Sequence, residues 1–384
     1  MGADSSKAVE IPSRNPGQAS AFYCACRNGD TATVQNMLPN LTYEQINQIE
    51  PNGSTALHAA SYYGWRDIVR LLLERGCSRT ILNFHRKTAY EEAASDQIRA
   101  LFHRPTLNRF VDENGTRSFK LLKRNGTDIT DQIGVPDGWV KGYTSANEAD
   151  DAKFINDMGP SLNPLKQIAK HQVKSDFIGN VAQLVLESVP RTHEQYDAMN
   201  DLFKKFVDNK NINHLLKMYT VETPFYTNLQ THVNSYAVLI YFYLRKLRNR
   251  AFQGRTFRGA IMTKNDIQAY QWALRSNNRV LETRVFQSTS RNKSIAQKFA
   301  VLDQNKHSSD HYSVLLTIHF PKRCPTAIDL TKRSDKLPPL SEYPNEEEVL
   351  ILPYTLFTVK DIQFDSHDKQ YYITLTNVLT PKKH

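Results

Sequence analysis

No stretch of the chain approaches the ~18 continuous apolar residues that a membrane-spanning helix needs. The most apolar run, Tyr236 to Leu244 (YAVLIYFYL), is far shorter and reads as a buried core helix. Cysteine is scarce: only Cys24, Cys26, Cys77 and Cys324 occur, at irregular spacing. That excludes a disulfide-stapled scaffold and suits a reducing compartment. Met1 to Glu10 lacks the basic-then-apolar pattern of a secretory signal, so an intracellular, cytoplasmic chain is expected. There is no P-loop pattern, no G-x-G-x-x-G, no H-E-x-x-H and no paired C-x-x-C. Twelve histidines without a common spacing do not make a ligand set, and no metal is expected.

What is present is ordinary globular composition, 40% hydrophobic and 23% charged, over 384 residues. At roughly 150 residues per domain, two or three domains are expected. The net charge is +10 and the pI about 9.2. That sign favours acidic partners: nucleic acid, an anionic membrane or a phosphate-bearing cofactor. The basic residues are dispersed, however. Their densest cluster (Arg245, Lys246, Arg248, Arg250, Arg255, Arg258) reads as a solvated helix end followed by a loop. With no zinc-finger or RNA-recognition signature, no nucleic acid is expected as a partner. The N-terminal M-G-A-D-S-S-K fits the myristoylation pattern, with Gly2 and Ser6. A membrane is a partner only if Gly2 is acylated, and one acyl chain binds marginally.

Residues 1–17 are polar, contain Pro12 and Pro16, and read as a flexible tail. A repeat follows. TALHAASYYGWRDIVRLLLERG, Thr55 to Gly76, reads as a turn, two antiparallel helices and a second turn. Ala59 and Ala60 permit close helix packing. Ile68, Val69, Leu71, Leu72 and Leu73 form the apolar side of the second helix, and Gly76 is placed to end it. Upstream, Ala25, Gly29, Val34 and Leu38 match Ala60, Gly64, Val69 and Leu73; downstream, Thr88-Ala89 matches Thr55-Ala56. This pattern resembles ankyrin repeats over residues 18–104, strongest in the central unit, with degenerate flanking units capping the stack. The resemblance implies a binding platform for an unidentified protein partner. His58 takes the T-x-L-H position, where it is structural.

Residues 105–160 read as a connector of unknown role. Asn114-Gly115, Asn125-Gly126 and Pro136-Asp137-Gly138 are turn signals, and Phe110-Val111 and Phe119 to Leu122 are short strands around the first. Beyond 161 the pattern is helical: Val181, Leu184 and Val185, then Met199, Leu202, Phe203 and Phe206, then Leu215 and Leu216. From 251 short β-rich runs take over at 256–257, 285–286, 312–320, 349–352, 357–359 and 371–375. Helices interrupt them near 264–276 and 293–301. A helical lobe (161–250) followed by a β-rich core (251–384) makes an α+β domain.

Three motifs in the β-rich part carry chemistry: Phe257-Arg258-Gly259, Phe286-Gln-Ser-Thr-Ser290, and Tyr343-Pro-Asn-Glu346-Glu347-Glu348-Val349-Leu350. In an extended segment residues two apart share a face. Glu346 and Glu348 then point together with Glu347 opposite, and Ser288 and Ser290 share a face. Paired carboxylates suit a cationic transition state or a cationic acceptor, and glycosidic cleavage generates positive charge on the sugar ring. Arg258 offers a donor fork suited to phosphate or pyrophosphate. Gly259 beside it permits a ligand close to the backbone. Together they suggest a phosphate-bearing glycoside. Singly, each has a plain structural explanation: a packed strand, a helix cap, a solvated edge.

In order and spacing, F-R-G, F-Q-S-T-S with the following I-A-Q-K-F-A, and E-E-E-V-L-I-L-P resemble the R-S-E class of arginine-specific mono-ADP-ribosyltransferases. The approach segment Y-T-V-E-T-P-F-Y, 219–226, is similar too. The likeness spans 161–384. It implies an α+β fold of helical lobe plus β-sandwich core, with NAD as substrate and no metal. Arg258, with Gly259, would hold the pyrophosphate and nearby ribose. Ser288 would position NAD and orient Glu348. Glu348 would bond the ribose 2′-hydroxyl and stabilise the oxocarbenium-like transition state. Glu346 would recognise the acceptor guanidinium of a target protein and take its proton. Phe299 would stack on nicotinamide, and Tyr343 would touch the acceptor. The rivals are an NAD glycohydrolase and an inactive ankyrin scaffold.

Overall fold

The computed structural model describes residues 17–104, 140–143, 164–231, 233–275, 280–283, 285–300, 311–334 and 336–378. It divides into two compact units, Met1–Phe102 and His103–His384.

In the first unit two helix pairs follow one another: α1 (Ala21–Asn28) with α2 (Thr31–Met37), and α4 (Ala56–Tyr63) with α5 (Arg66–Glu74). The short α3 (Tyr43–Ile46) lies between them, and α6 (Asp96–Leu101) closes the unit. The internal repeat has a backbone cause. Gly29 and Gly64 hold equivalent places at the ends of α1 and α4, at φ 79° and 76°. Glycine adopts this left-handed conformation without the clash a Cβ brings. Ile68, Val69, Leu72 and Leu73 of α5 are buried, as their spacing requires. His58 is structural. Its Nδ1 lies 2.8 Å from Thr55 Oγ1 and its Nε2 lies 3.1 Å from Lys87 O. A carbonyl only accepts, so Nε2 carries the proton and ties one repeat to the next. The downstream unit is degenerate: the segment after Thr88 is a turn, although Thr88 and Glu91 still exchange the capping bonds of a helix start.

The second unit contains helices α7 (Pro164–Ser188), α8 (Tyr196–Asn209), α9 (Ile212–Thr220), α10 (Phe225–Thr231) and α11 (Val233–Tyr243). The apolar run 236–244 lies mainly in α11, with Tyr236, Leu239 and Ile240 fully buried. No described helix is long and apolar enough to cross a membrane. In the basic cluster after α11, Arg245, Lys246, Arg248 and Arg255 are exposed, as its sequence reading has them, but two members differ. Arg250 is buried and donates to the carbonyls of Asp329, Thr331 and Pro338, and Arg258 is buried too. Neither side chain belongs to a solvated face.

Among the described residues, eight strands follow the order β1-β3-β7-β8-β5-β2-β4-β6. They are β1 (Val140–Tyr143), β2 (Ala251–Thr263), β3 (Val280–Thr283), β4 (Gln287–Ser290), β5 (His311–Asp329), β6 (Glu348–Ile351), β7 (Leu356–Asp365) and β8 (Gln370–Asn377). Helices α12 (Lys264–Leu274) and α13 (Lys293–Lys298) interrupt them. All pairs are antiparallel except β5–β8. The expected sandwich of two separate sheets is replaced by one continuous sheet. The cause is β5, long enough to pair β8 along 313–319, β2 from His311 through to Ile328, and β6 at 327–329. The path β5-β2-β4-β6 therefore closes on itself, as in a barrel. Val285–Phe286, expected as a strand, is the link between β3 and β4. The turns and strands expected at 110–138 lie outside the described residues, and only β1 represents the connector.

Two apolar cores meet along β6. Val349 and Ile351 pack with Phe320, Phe357 and Ile373 of the sheet. Leu350 and Leu352 pack with Leu216, Tyr219 and Tyr236 of the helices, together with Phe286 and Ile328. Period-two alternation sends successive side chains into different cores.

Candidate active site

Strand β4 lies between β2 and β6, with Phe257 opposite Ser290 on one side and Ser290 opposite Glu348 on the other. Ser288 and Ser290 share a face with Glu348, as the alternation expects. Ser288 Oγ donates to Glu348 Oε1 at 2.6 Å, and Ser341 Oγ donates to Oε2 at 3.0 Å. Tyr219 Oη lies 3.0 Å from Ser288 Oγ. Since the serine proton goes to the carboxylate, the phenol donates to the serine. Glu348, 3% exposed, is thus braced at both oxygens by a chain running Tyr219 to Ser288 to Glu348, and back to Ser341.

Glu346 reaches the same pocket by a route the sequence did not suggest. Residues Pro344–Glu346 form a 3-10 turn, and Glu347 stands at φ 46°. A non-glycine residue there costs about 1 kcal/mol. Strand alternation therefore begins only at Glu348, and the left-handed kink at Glu347 brings the carboxylates together. Ser290 Oγ pins the turn by donating to Glu346 O at 2.7 Å. The Glu346 carboxylate accepts from Arg104 through both oxygens, Nε at 2.9 Å and Nη2 at 3.1 Å. Nη1 of the same guanidinium bonds to Glu222. Its centre lies 3.8 Å from the centroid of the buried Tyr343 ring. Burial alone pulls the Arg104 guanidinium down, but Glu346 above all, with Tyr343 and Glu222, carries it above its ordinary value.

The pocket wall is completed by β2 and α13. Arg258, Gly259, Ser288, Phe299, Glu346 and Glu348 all line it. Arg258 Nη1 donates to Ser288 O at 2.8 Å, locking the arginine strand to the serine strand. Gly259 has a reason beyond ligand access. A Cβ there would lie 2.1 Å from Ala296 O and 2.6 Å from Ala300 N. Those are backbone atoms of α13 and its end, so they cannot swing aside. Gly259→Ala should push α13 off β2 and cost about 1–3 kcal/mol, as overpacking does. Thermal melting of the two proteins side by side checks this, and an unchanged midpoint would refute it.

All seven site residues expected from sequence (Arg258, Gly259, Ser288, Phe299, Tyr343, Glu346, Glu348) are therefore gathered at this pocket or at the guanidinium beside it. Sequence reasoning missed Tyr219, Glu222, Ser341 and Arg104. The first two lie in the 219–226 segment and carried that signal without a role. Ser341 and Arg104 had none.

Residues 10–106 match the family model for ankyrin repeats, in three copies. The chain is 39% identical over 72 residues to the NAD-capped RNA hydrolase NUDT12 of Homo sapiens, covering 19% of this chain and 15% of that one. The Macaca fascicularis protein of the same name is 38% identical over 82 residues, 21% of this chain and 18% of its own. The chain thus spans under a fifth of the length of these relatives. Among solved structures, the ADP-ribosyltransferase HopU1 of Pseudomonas syringae aligns over 54% of this chain and 97% of its own, at 15% identity and a TM-score of 0.38. The Vis toxin of Vibrio splendidus, an ADP-ribosyltransferase, aligns over 58% and 90%, at 16% identity and a TM-score of 0.27. An ADP-ribosyltransferase of Clostridium botulinum aligns over 49% and 96%, at 16% identity and a TM-score of 0.30.

Proposed function

We propose that the second unit transfers ADP-ribose from NAD to arginine side chains of target proteins, releasing nicotinamide, and that the ankyrin repeats recruit the target or a regulator. The observation that supports this most is the Glu348 carboxylate, held at both oxygens by Ser288 and Ser341, in one pocket with Glu346 and Arg258. Nicotinamide leaves with the bonding pair of the C1′–N bond, which neutralises its ring nitrogen, so departure needs no general acid. The demand is electrostatic: positive charge spreads over the ribose as the bond lengthens. Fixed negative charge that need not reorganise meets that demand. Glu348 has that character, and its bond to the ribose 2′-hydroxyl would hold the sugar in register. Arg258 supplies the cationic fork for the pyrophosphate, and Phe299 is the flat apolar surface for the nicotinamide ring.

The acceptor step needs a second carboxylate. Arginine stays protonated at neutral pH, so a free neutral nucleophile is not available. Glu346 would align the guanidinium through two hydrogen bonds and take its proton as the nitrogen closes on C1′. Water is the competing acceptor, and its attack gives free ADP-ribose. The engagement of Glu346 by Arg104 favours that glycohydrolase outcome as the second reading, because it keeps other guanidines away.

Mass-resolved NAD turnover with a small guanidine such as agmatine separates the readings. ADP-ribosyl-guanidine is the expected product. Free ADP-ribose alone, at every acceptor concentration, would replace transferase by glycohydrolase. Failure to bind or consume NAD would leave an ankyrin scaffold.

A further inference from the structure

Arg104 stands near the start of the second unit, and its guanidinium is the same chemical group that the proposed reaction modifies. Its side chain is 2% exposed, deeper than an ordinary surface ion pair. Its Nε and Nη2 engage Glu346 in parallel, the fork-to-fork geometry by which a carboxylate recognises arginine. Tyr343 supplies an aromatic face under the guanidinium, and Glu222 takes the remaining edge. Glu346 also lines the pocket that holds Glu348.

We propose that Glu346 and Tyr343 form a guanidinium subsite whose resident is the chain's own Arg104, held in place from outside the subsite by Glu222, so that an acceptor arginine must displace it. This rests on the transferase reading above and names the regulation of that site. Competition is favoured over self-modification by the environment of the group. An acceptor aligned by Glu346 through two nitrogens keeps its third nitrogen for attack on C1′, whereas in Arg104 that nitrogen, Nη1, is taken by Glu222. The inhibition acts on the acceptor alone. NAD would still enter beside Arg258 and Ser288, so basal turnover in the native chain would run mainly to water.

The test compares wild type with Arg104→Met, which keeps an unbranched stem and removes the fork, and with Glu222→Gln, which loosens the resident while leaving Glu346 intact. An internal occupant present nine-tenths of the time weakens apparent acceptor affinity about tenfold. Arg104→Met should therefore lower the KM for agmatine about tenfold or more, with the KM for NAD little changed. Glu222→Gln should shift it in the same direction by less. Should the methionine variant fail to fold, the glutamine variant and the wild-type Arg104 Nε–H resonance still decide. Agmatine should move that resonance towards the position of a solvated arginine. An unchanged agmatine KM in folded variants, with a resonance that agmatine does not move, would make the pair purely structural. ADP-ribose found on Arg104 of the wild type by tandem mass spectrometry would make it an acceptor, not a competitor. Either result overturns the proposal while the transferase reading stands. Absence of NAD turnover in all three proteins would overturn that reading and the proposal with it.

Discussion

Glu348→Gln should lower NAD consumption by about a hundred- to a thousandfold, with or without an acceptor. That is the scale on which removal of one preorganised electrostatic group acts. The substitution keeps the shape of the side chain. Ser288 can still donate to the amide oxygen, and the Ser341 hydroxyl can turn to accept from the amide nitrogen. What disappears is the negative charge beside the ribose. The change should therefore fall on kcat, while NAD binding, measured by calorimetry, stays within a few-fold. Turnover within tenfold of wild type would remove Glu348 from the centre of the mechanism. The brace makes a graded companion: Ser341 touches only one carboxylate oxygen, so its loss should cost less than loss of the charge itself.

Glu346→Gln should split two activities that Glu348→Gln lowers together. Transfer to agmatine should fall by about a hundredfold or more, the range of general-base contributions. Hydrolysis of NAD should stay within a few-fold of wild type. An amide presents one acceptor and one donor where a carboxylate presents two acceptors, so the bidentate match to a guanidinium is lost. The same loss loosens Arg104 in the unmodified chain. A freed subsite that cannot hold arginine is of no use to the acceptor, so release of Arg104 does not rescue transfer. Parallel measurement of ADP-ribosyl-agmatine and free ADP-ribose decides the matter, and equal loss of both would refute an acceptor role.

How far the site was legible from the sequence follows from the range of each interaction. Ser288 and Ser290 share a face because period-two alternation is local, and β4 obeys it. The repeat was legible because Gly29 and Gly64 end their helices in the same left-handed turn. Alternation misled at Glu346, where the chain turns through Glu347 before the strand begins. Both carboxylates reached the expected pocket by a different backbone path. Arg104 and Ser341 were illegible because their meaning is a partner far away in sequence or a short turn with no motif of its own. Nothing near Arg104 in the chain hints at Glu346, which lies 242 residues on. The sheet topology was hidden for a similar reason: the composition of β5 shows a strand, not that its two parts have different neighbours.

Strand β6 has no solvent side. Val349 and Ile351 belong to one interior, and Leu350 and Leu352 to the other. Withdrawing the helices would strip cover from Leu350 and Leu352, each worth about 1.5–3 kcal/mol when buried. The same movement would break the Tyr219 bond to Ser288. Glu348 and three of the residues that weld the interiors, Val349, Leu350 and Ile351, thus share a four-residue strand, with Leu352 directly after it. Amide exchange along β6 should then report global unfolding, with no separate opening of either half. The change of secondary structure near Arg250 is a change of texture within one cooperative body, not a seam along which a helical fragment could be cut free.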